Sequence, residues 1–212
     1  MKIVAENLGK RFNREWIFRH FSFTLAPAPT YAITGPNGSG KSTLSQVLWA
    51  QVPPTAGILK YFNNEQLVPI TDVFKHVAIA TPYMDLIEEF TLDETIRFHF
   101  KFKKLVPKIS VAQVADRMQL ANARDKKVGA FSSGMRQRLK LALAFYSDTP
   151  VLFLDEPTTN LDKEAIAWYQ ENLSQRGVRT TVIASNQEYE YPPEAIKIDL
   201  SSFKQAVTNR PR

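Results

Sequence analysis

The 212-residue sequence contains no cysteine, so disulfides and thiolate metal sites are excluded. It also lacks long apolar runs. The stretches VLFL at 151–154 and LALAF at 141–145 fall far short of the ~20 residues that cross a bilayer. The opening residues, MKIVAENLGKRF, hold neither the apolar core nor the small-residue cleavage site of a secretion signal, which leads us to expect a cytoplasmic protein. Internal repeats, low-complexity segments and flexible linkers are missing as well, so the chain reads as one domain over 1–212. A content of 44% hydrophobic and 23% charged residues argues for a globular fold and against disorder.

What the sequence does have is positive charge. A formal net charge of +6 invites an anionic partner, whether phosphate, nucleic acid or lipid surface, without choosing among them. The densest basic run, KFKKLVPK at 101–108, suits headgroups or nucleic acid as well as a solvated helix face.

Apolar strand-like runs recur at 2–8, 21–25, 31–34, 58–62, 77–80, 151–154, 180–184 and 196–200. Helical patterns separate the late ones, and VLFL and TTVIA are almost continuously apolar, as parallel strands covered on both faces must be. The fold class expected is α/β with a parallel sheet. The strands before Gly35 crowd together on short connections, which predicts an antiparallel β subdomain beside it. Between 83 and 146 strand signals vanish, and TLDE at 91–94 and SVAQ at 110–113 each carry the pattern of a capping box. This stretch reads as an inserted α-helical subdomain. A further helix is expected over 163–175, capped by Asp162 and stopped at Gly177.

Between an apolar strand and a helical pattern lie Gly35, Pro36, Asn37, Gly38, Ser39, Gly40, Lys41, Ser42 and Thr43. The spacing is that of a phosphate-binding loop, G-x-x-x-x-G-K-[ST]. Glycines let backbone N–H groups curl around phosphate oxygens, and the helix N-terminus adds partial positive charge. Lys41 supplies a full charge to the β and γ phosphates, and Ser42 offers a hydroxyl to a bridging Mg²⁺. Kinases, switch GTPases and ATPases share this element.

The strand at 151–154 runs into Asp155 and Glu156, at the carboxyl end where open parallel sheets bind ligands. Asp155 is the candidate metal holder, and Glu156 the group that orients and deprotonates an attacking water. Ahead of the apolar run LKLALAF stands FSSGM, where Ser132, Ser133 and Gly134 leave room for an anion to approach unpaired helix N–H groups. Ordinary serine capping explains the same residues.

Taken in order, the phosphate loop, FSSGM and LDEPTTNLD resemble the ATP-binding cassette subunit of ABC transporters over nearly the whole chain. The resemblance implies an ATPase that binds ATP and Mg²⁺ and pairs head to tail with a second cassette. Ser132, Ser133 and Gly134 then contact the γ-phosphate held by the other subunit, and residues 159–162 also face that subunit. It further implies a separate transmembrane transporter subunit as partner, a peripheral position on the cytoplasmic face of the membrane, and no nucleic acid. Phe12 falls where the family stacks an aromatic ring on adenine, with Trp16 and Phe18 nearby and a core role as the other reading.

The sequence departs from the family at three places. The signature L-S-G-G-Q is here FSSGM, in which Ser132 and Gly134 match while Ser133 and Met135 are among the residues that depart. Pro82 stands where a glutamine usually contacts the metal, and Glu88 or Glu89 would either replace it or form exposed acidic surface. Asn186 stands where a histidine contacts the γ-phosphate, and an amide donates a hydrogen bond without titrating near neutral pH. With Lys41, Asp155 and Glu156 retained, slow hydrolysis is expected. The alternative is a nucleotide-gated binding module with negligible turnover.

Overall fold

A computed structural model describes residues 1–175 and 177–203. It holds two sheets. Strands β1 (Lys2–Phe12) and β2 (Glu15–Leu25) form a hairpin that reverses at Asn13, whose φ of 51° is a conformation asparagine tolerates. Strand β4 (Ala56–Asn63) pairs with the other edge of β1, and the short β5 (Gln66–Val68) pairs with β4, giving an antiparallel order β2-β1-β4-β5.

The second sheet combines β3 (Thr30–Thr34), β6 (Val77–Ala80), β7 (Val151–Asp155), β8 (Thr180–Ala184) and β9 (Ile196–Asp199) in the order β6-β7-β8-β3-β9, with every pairing parallel. All five residues of β7 and all five of β8 are buried, which is why both read as unbroken apolar runs. The expectation that all strands before Gly35 are antiparallel fails for β3. It pairs with β8 on one side and β9 on the other, and β4 and β5 take the antiparallel places instead. The reason is burial: Thr30 to Ile33 are covered throughout, and a strand wet on one face would alternate.

Because all five strands run the same way, their carboxyl ends share one edge. Helix α1 (Lys41–Leu48) leaves β3 there and packs Leu44, Val47 and Leu48 into a core shared with the antiparallel sheet. Helix α2 (Val73–His76) is a single turn leading into β6. Helices α3 (Leu92–Phe102), α4 (Val111–Arg117) and α5 (Ser133–Phe145) follow β6, and with α6 (Lys163–Ser174) they enclose a second core that includes Leu92, Ile96, Val114, Leu139 and Trp168. The Thr91 capping box is closed in both directions, Thr91 N–H donating to Glu94 and Glu94 N–H donating to the Thr91 hydroxyl. At α4 the Ser110 N–H donates to Gln113 at 2.8 Å, and Asp162 accepts from Ala165 N–H at 2.8 Å to start α6.

His99 on α3 makes this helical region pH-sensitive. The Ser147 hydroxyl donates to the Leu143 carbonyl, which leaves the His99 Nε2–H to donate to Ser147 Oγ at 2.9 Å. Burial, reinforced by the Lys103 charge, pushes the imidazole down to about 4. As pH falls, the unfolded chain therefore takes up this proton first. The stabilisation is complete above about pH 6.5 and is lost on the way down to 4. Urea denaturation should show a loss of about 2 kcal/mol between pH 7 and pH 5 from this group. His99→Gln should flatten that part of the profile, and an unchanged slope would refute the assignment.

Candidate active site

The edge formed by the carboxyl ends of β3, β8 and β7 collects the residues singled out above. The loop after β3 turns tightly, with Ser39 N–H donating to the Pro36 carbonyl at 3.0 Å. Gly40 caps α1 at φ 100°, and a Cβ there would lie 2.3 Å from Ile17 Cγ2, so both the conformation and the approach of β2 require glycine. Lys41 is only 5% exposed, and its ammonium donates to the carbonyls of Gly35 at 2.9 Å and Pro36 at 3.3 Å. The loop is thus curled around one cation. Burial pushes the Lys41 pKa down, and the nearby carboxylates of Glu156 and Asp155 oppose that shift.

Asp155 ends β7 and is 2% exposed. Burial raises its carboxyl to about 6; the Ser42 side-chain hydrogen bond and Lys41 pull it down, while Glu156 and Glu190 push it up. Its Oδ1 has no hydrogen-bond partner among the described residues. An orphaned buried carboxylate oxygen beside a serine hydroxyl is a hard, oxygen-only donor pair, which fits Mg²⁺. The described residues contain no cluster of three His, Asp or Glu side chains able to hold a metal alone.

Glu156 adopts φ 42°, a strained left-handed conformation for a glutamate, and its N–H donates to the Ala184 carbonyl of β8 at 2.9 Å. Asn186, just beyond β8, donates from Nδ2 to Asn37 Oδ1 in the phosphate loop at 2.7 Å. The structure therefore brings Asn37, Lys41, Ser42, Asp155, Glu156 and Asn186 to one edge.

Ser132 and Gly134 lie elsewhere. Ser132 is the N-cap of α5, its hydroxyl accepting from Met135 N–H at 3.2 Å, and it and Ser133 are exposed. Among the described residues no hydrogen bond joins 132–134 to 35–43. Gly134 instead sits against the loop after β7, where a Cβ would meet the Asn160 carbonyl at 2.9 Å. Of the three candidate rings, Phe18 is fully buried and Trp16 covers Gly9 between the Arg11 and Arg19 guanidinium groups. Phe12 is 47% exposed at the hairpin end, with the Lys10 ammonium 4.9 Å from its centroid.

Two contacts had no clear sequence signal. The Pro82 carbonyl accepts from Lys140 of α5 at 2.6 Å, a charge-assisted tie made by a lysine in an otherwise apolar helical row. Glu88 pairs with Arg136 at 2.8 Å, and Arg136 also donates to the Gly129 carbonyl. Glu88 is thereby committed to α5.

A five-stranded parallel sheet with a glycine loop and lysine after one strand and a buried aspartate after another is the fold of a P-loop nucleotide-binding protein. The family model for ABC transporters matches residues 18–159, and the chain belongs to that family as an ATP-binding subunit. An uncharacterized ABC transporter ATP-binding protein of Bacillus subtilis is 30% identical over 88% of this chain and 86% of its own length. The cytochrome c biogenesis ATP-binding export protein of Brucella abortus is 30% identical over 81% of this chain and 78% of its own. Among solved structures, an ABC transporter ATP-binding protein of Pyrococcus furiosus superposes with a TM-score of 0.78 at 18% identity, covering 97% of this chain and all of that one. A bacterial Atm1-family ABC exporter with ATP bound gives 0.72 at 22% identity, over 87% of this chain and 34% of the exporter. At these identities the two structures establish the fold.

Proposed function

We propose that the chain binds MgATP at the edge formed by β3, β8 and β7, pairs head to tail with a second cassette, and hydrolyses ATP slowly to drive a separate membrane transporter subunit from its cytoplasmic face. The observation that carries this reading is the convergence of the buried Lys41 ammonium with the Ser42–Asp155 pair and its orphaned oxygen. The relatives whose names include export or transport support the membrane partner.

In this reading the loop at 35–43 cradles the phosphates, and Lys41 exchanges the Gly35 and Pro36 carbonyls for phosphate oxygens. Ser42 and Asp155 would hold Mg²⁺, which when bound would neutralise charge on the phosphates. Glu156 orients a water and takes up its proton. Phe12 offers a ring to the adenine. Ser132, Ser133 and Gly134, which make no hydrogen bond to their own phosphate loop among the described residues, serve the γ-phosphate of the partner cassette. The site is then complete only in a two-fold dimer.

Asn186 sets the rate. It has two N–H donors, and one already serves Asn37, so a contact to the γ-phosphate rests on the other. Loss of a transition-state donor costs about 10²–10³ in rate. Steady-state phosphate release from the purified chain with MgATP tests the reading: turnover should be measurable but slow, and Asn186→His should raise it about tenfold or more. Absence of release, with or without a membrane partner, would favour a nucleotide-gated binding module. Copurification should identify the membrane subunit, and retention on nucleic acid instead would reject the transport role.

A further inference from the structure

The reaction just described makes no use of Glu190, yet this carboxylate is among the most deeply buried polar groups in the chain, 2% exposed in the short turn that follows Asn186. Its Oε1 accepts from the Thr158 N–H at 2.9 Å and from the Thr158 hydroxyl. Tyr189 adds a phenol 3.3 Å from the same hydroxyl. The backbone of the turn is itself fixed from α6: Tyr169 donates to the Glu190 carbonyl at 2.6 Å, and Gln170 donates to the Tyr189 carbonyl at 3.0 Å. Glu190 is thus a rigidly mounted acceptor aimed at one residue of the loop after β7.

That loop needs holding. Glu156 at φ 42° and Asn160 at φ 65° are both non-glycine residues in the left-handed region, and Thr158 lies midway between them. Strained backbone of this kind persists only where surrounding contacts over-determine it. Within the loop, Thr159 N–H donates to the Glu156 carbonyl at 3.2 Å and Leu161 N–H to the Thr158 carbonyl at 3.0 Å. From outside, Gln137 of α5 grips the Pro157 carbonyl at 2.8 Å, and Glu190 grips Thr158. Stability alone does not account for a glutamate here. Glu190 Oε2 has no hydrogen-bond partner among the described residues, and a buried polar oxygen left unpaired costs stability rather than adding to it. The carboxylate also lies close enough to Asp155 to add to the upward push on that acid.

We infer that Glu190 is a positioning residue for Glu156: by clamping Thr158 it holds the loop in the conformation that points the Glu156 carboxylate at the phosphate edge. The clamp also joins two segments that meet the nucleotide, because the stretch bearing Glu190 begins at Asn186, which bonds the phosphate loop. This inference rests on the assignment of Glu156 to water activation.

The test is the split between turnover and nucleotide affinity. Glu190→Ala should lower kcat by about 10- to 100-fold, the scale of a small misplacement of a reacting group, while the KM for ATP stays within about twofold. Glu190→Gln, which keeps an acceptor for Thr158, should recover all but about threefold of kcat and melt no lower than the wild type. An unchanged kcat in Glu190→Ala would overturn the inference. So would loss of turnover, ATP affinity and melting temperature together without rescue by glutamine, which is the pattern of a purely structural contact. If Glu190→Ala does not fold, Glu190→Asp answers the same question, because the shorter side chain draws the acceptor away from both the N–H and the hydroxyl of Thr158: kcat about fivefold lower at constant KM supports the clamp, and wild-type kcat rejects it. Wild-type phosphate release measured alongside separates the two levels. A wild-type chain without turnover rejects the hydrolytic reading and this inference with it, whereas normal wild-type turnover with an unaffected Glu190→Ala rejects the inference alone.

Discussion

Glu156→Gln is expected to cut phosphate release by about 10²–10⁴-fold while leaving MgATP affinity within about twofold, and to accumulate the ATP-bound dimer. The magnitude follows from what glutamine lacks. Its amide fills the same volume and still hydrogen-bonds a water, but it takes up no proton, so about 3–5 kcal/mol of barrier lowering disappears. Affinity is expected to survive because the proposed binding groups are Lys41, Ser42 and Asp155, and removing a negative charge near the Lys41 ammonium would not weaken a hold on phosphate. The effect should sit toward the upper end of the range, since Asn186 cannot titrate and no imidazole shares the work. Single-turnover phosphate release, with size-exclusion chromatography in MgATP, gives both readouts. Equal rates for wild type and variant would remove Glu156 from the mechanism.

Much of this site was legible in the sequence because its determinants are local. The glycine loop needs contiguous residues that tolerate left-handed backbone, and a strand and helix on either side, so Gly35 to Thr43 announce themselves by spacing. Strands β7 and β8 are buried on both faces, and that alone makes them readable as apolar runs. What the sequence did not reveal depends on partners distant along the chain. The sheet joined by β3 is decided by β8 and β9, some 150 residues later. The three-residue β5 follows a turn built on Asn64 and Glu65, both at positive φ, and glutamate gives no turn signal of the kind that Asn-Gly would. Lys140 reads as a flaw in an apolar helix until Pro82 is seen at its tip, and Glu190 as one more acid in an acidic turn until Thr158 appears beneath it. That Asn186 can donate a hydrogen bond is legible in the sequence, whereas the partner its amide takes, Asn37, is not. In each case a long-range contact gives a locally ordinary residue its meaning.

Mixing two inactive variants should restore activity, and this tests whether the serine cap works across subunits. Lys41→Ala removes the buried cation from the phosphate loop and should lower turnover about 10²–10³-fold. Gly134→Asp places a side chain where a Cβ already meets the Asn160 carbonyl at 2.9 Å, and sets a carboxylate at a helix start that is to receive phosphate. Its turnover should fall to a similar level. If each site joins the loop of one chain to the cap of the other, a mixed dimer combines both defects in one site and leaves its second site whole. Random pairing at equal amounts makes about half the dimers mixed, so about a quarter of wild-type turnover should return. A site built within one chain predicts no recovery, because every chain present then carries a defect. The exposed position of Ser132 and Ser133, and the absence of hydrogen bonds from 132–134 to 35–43 among the described residues, favour the first outcome.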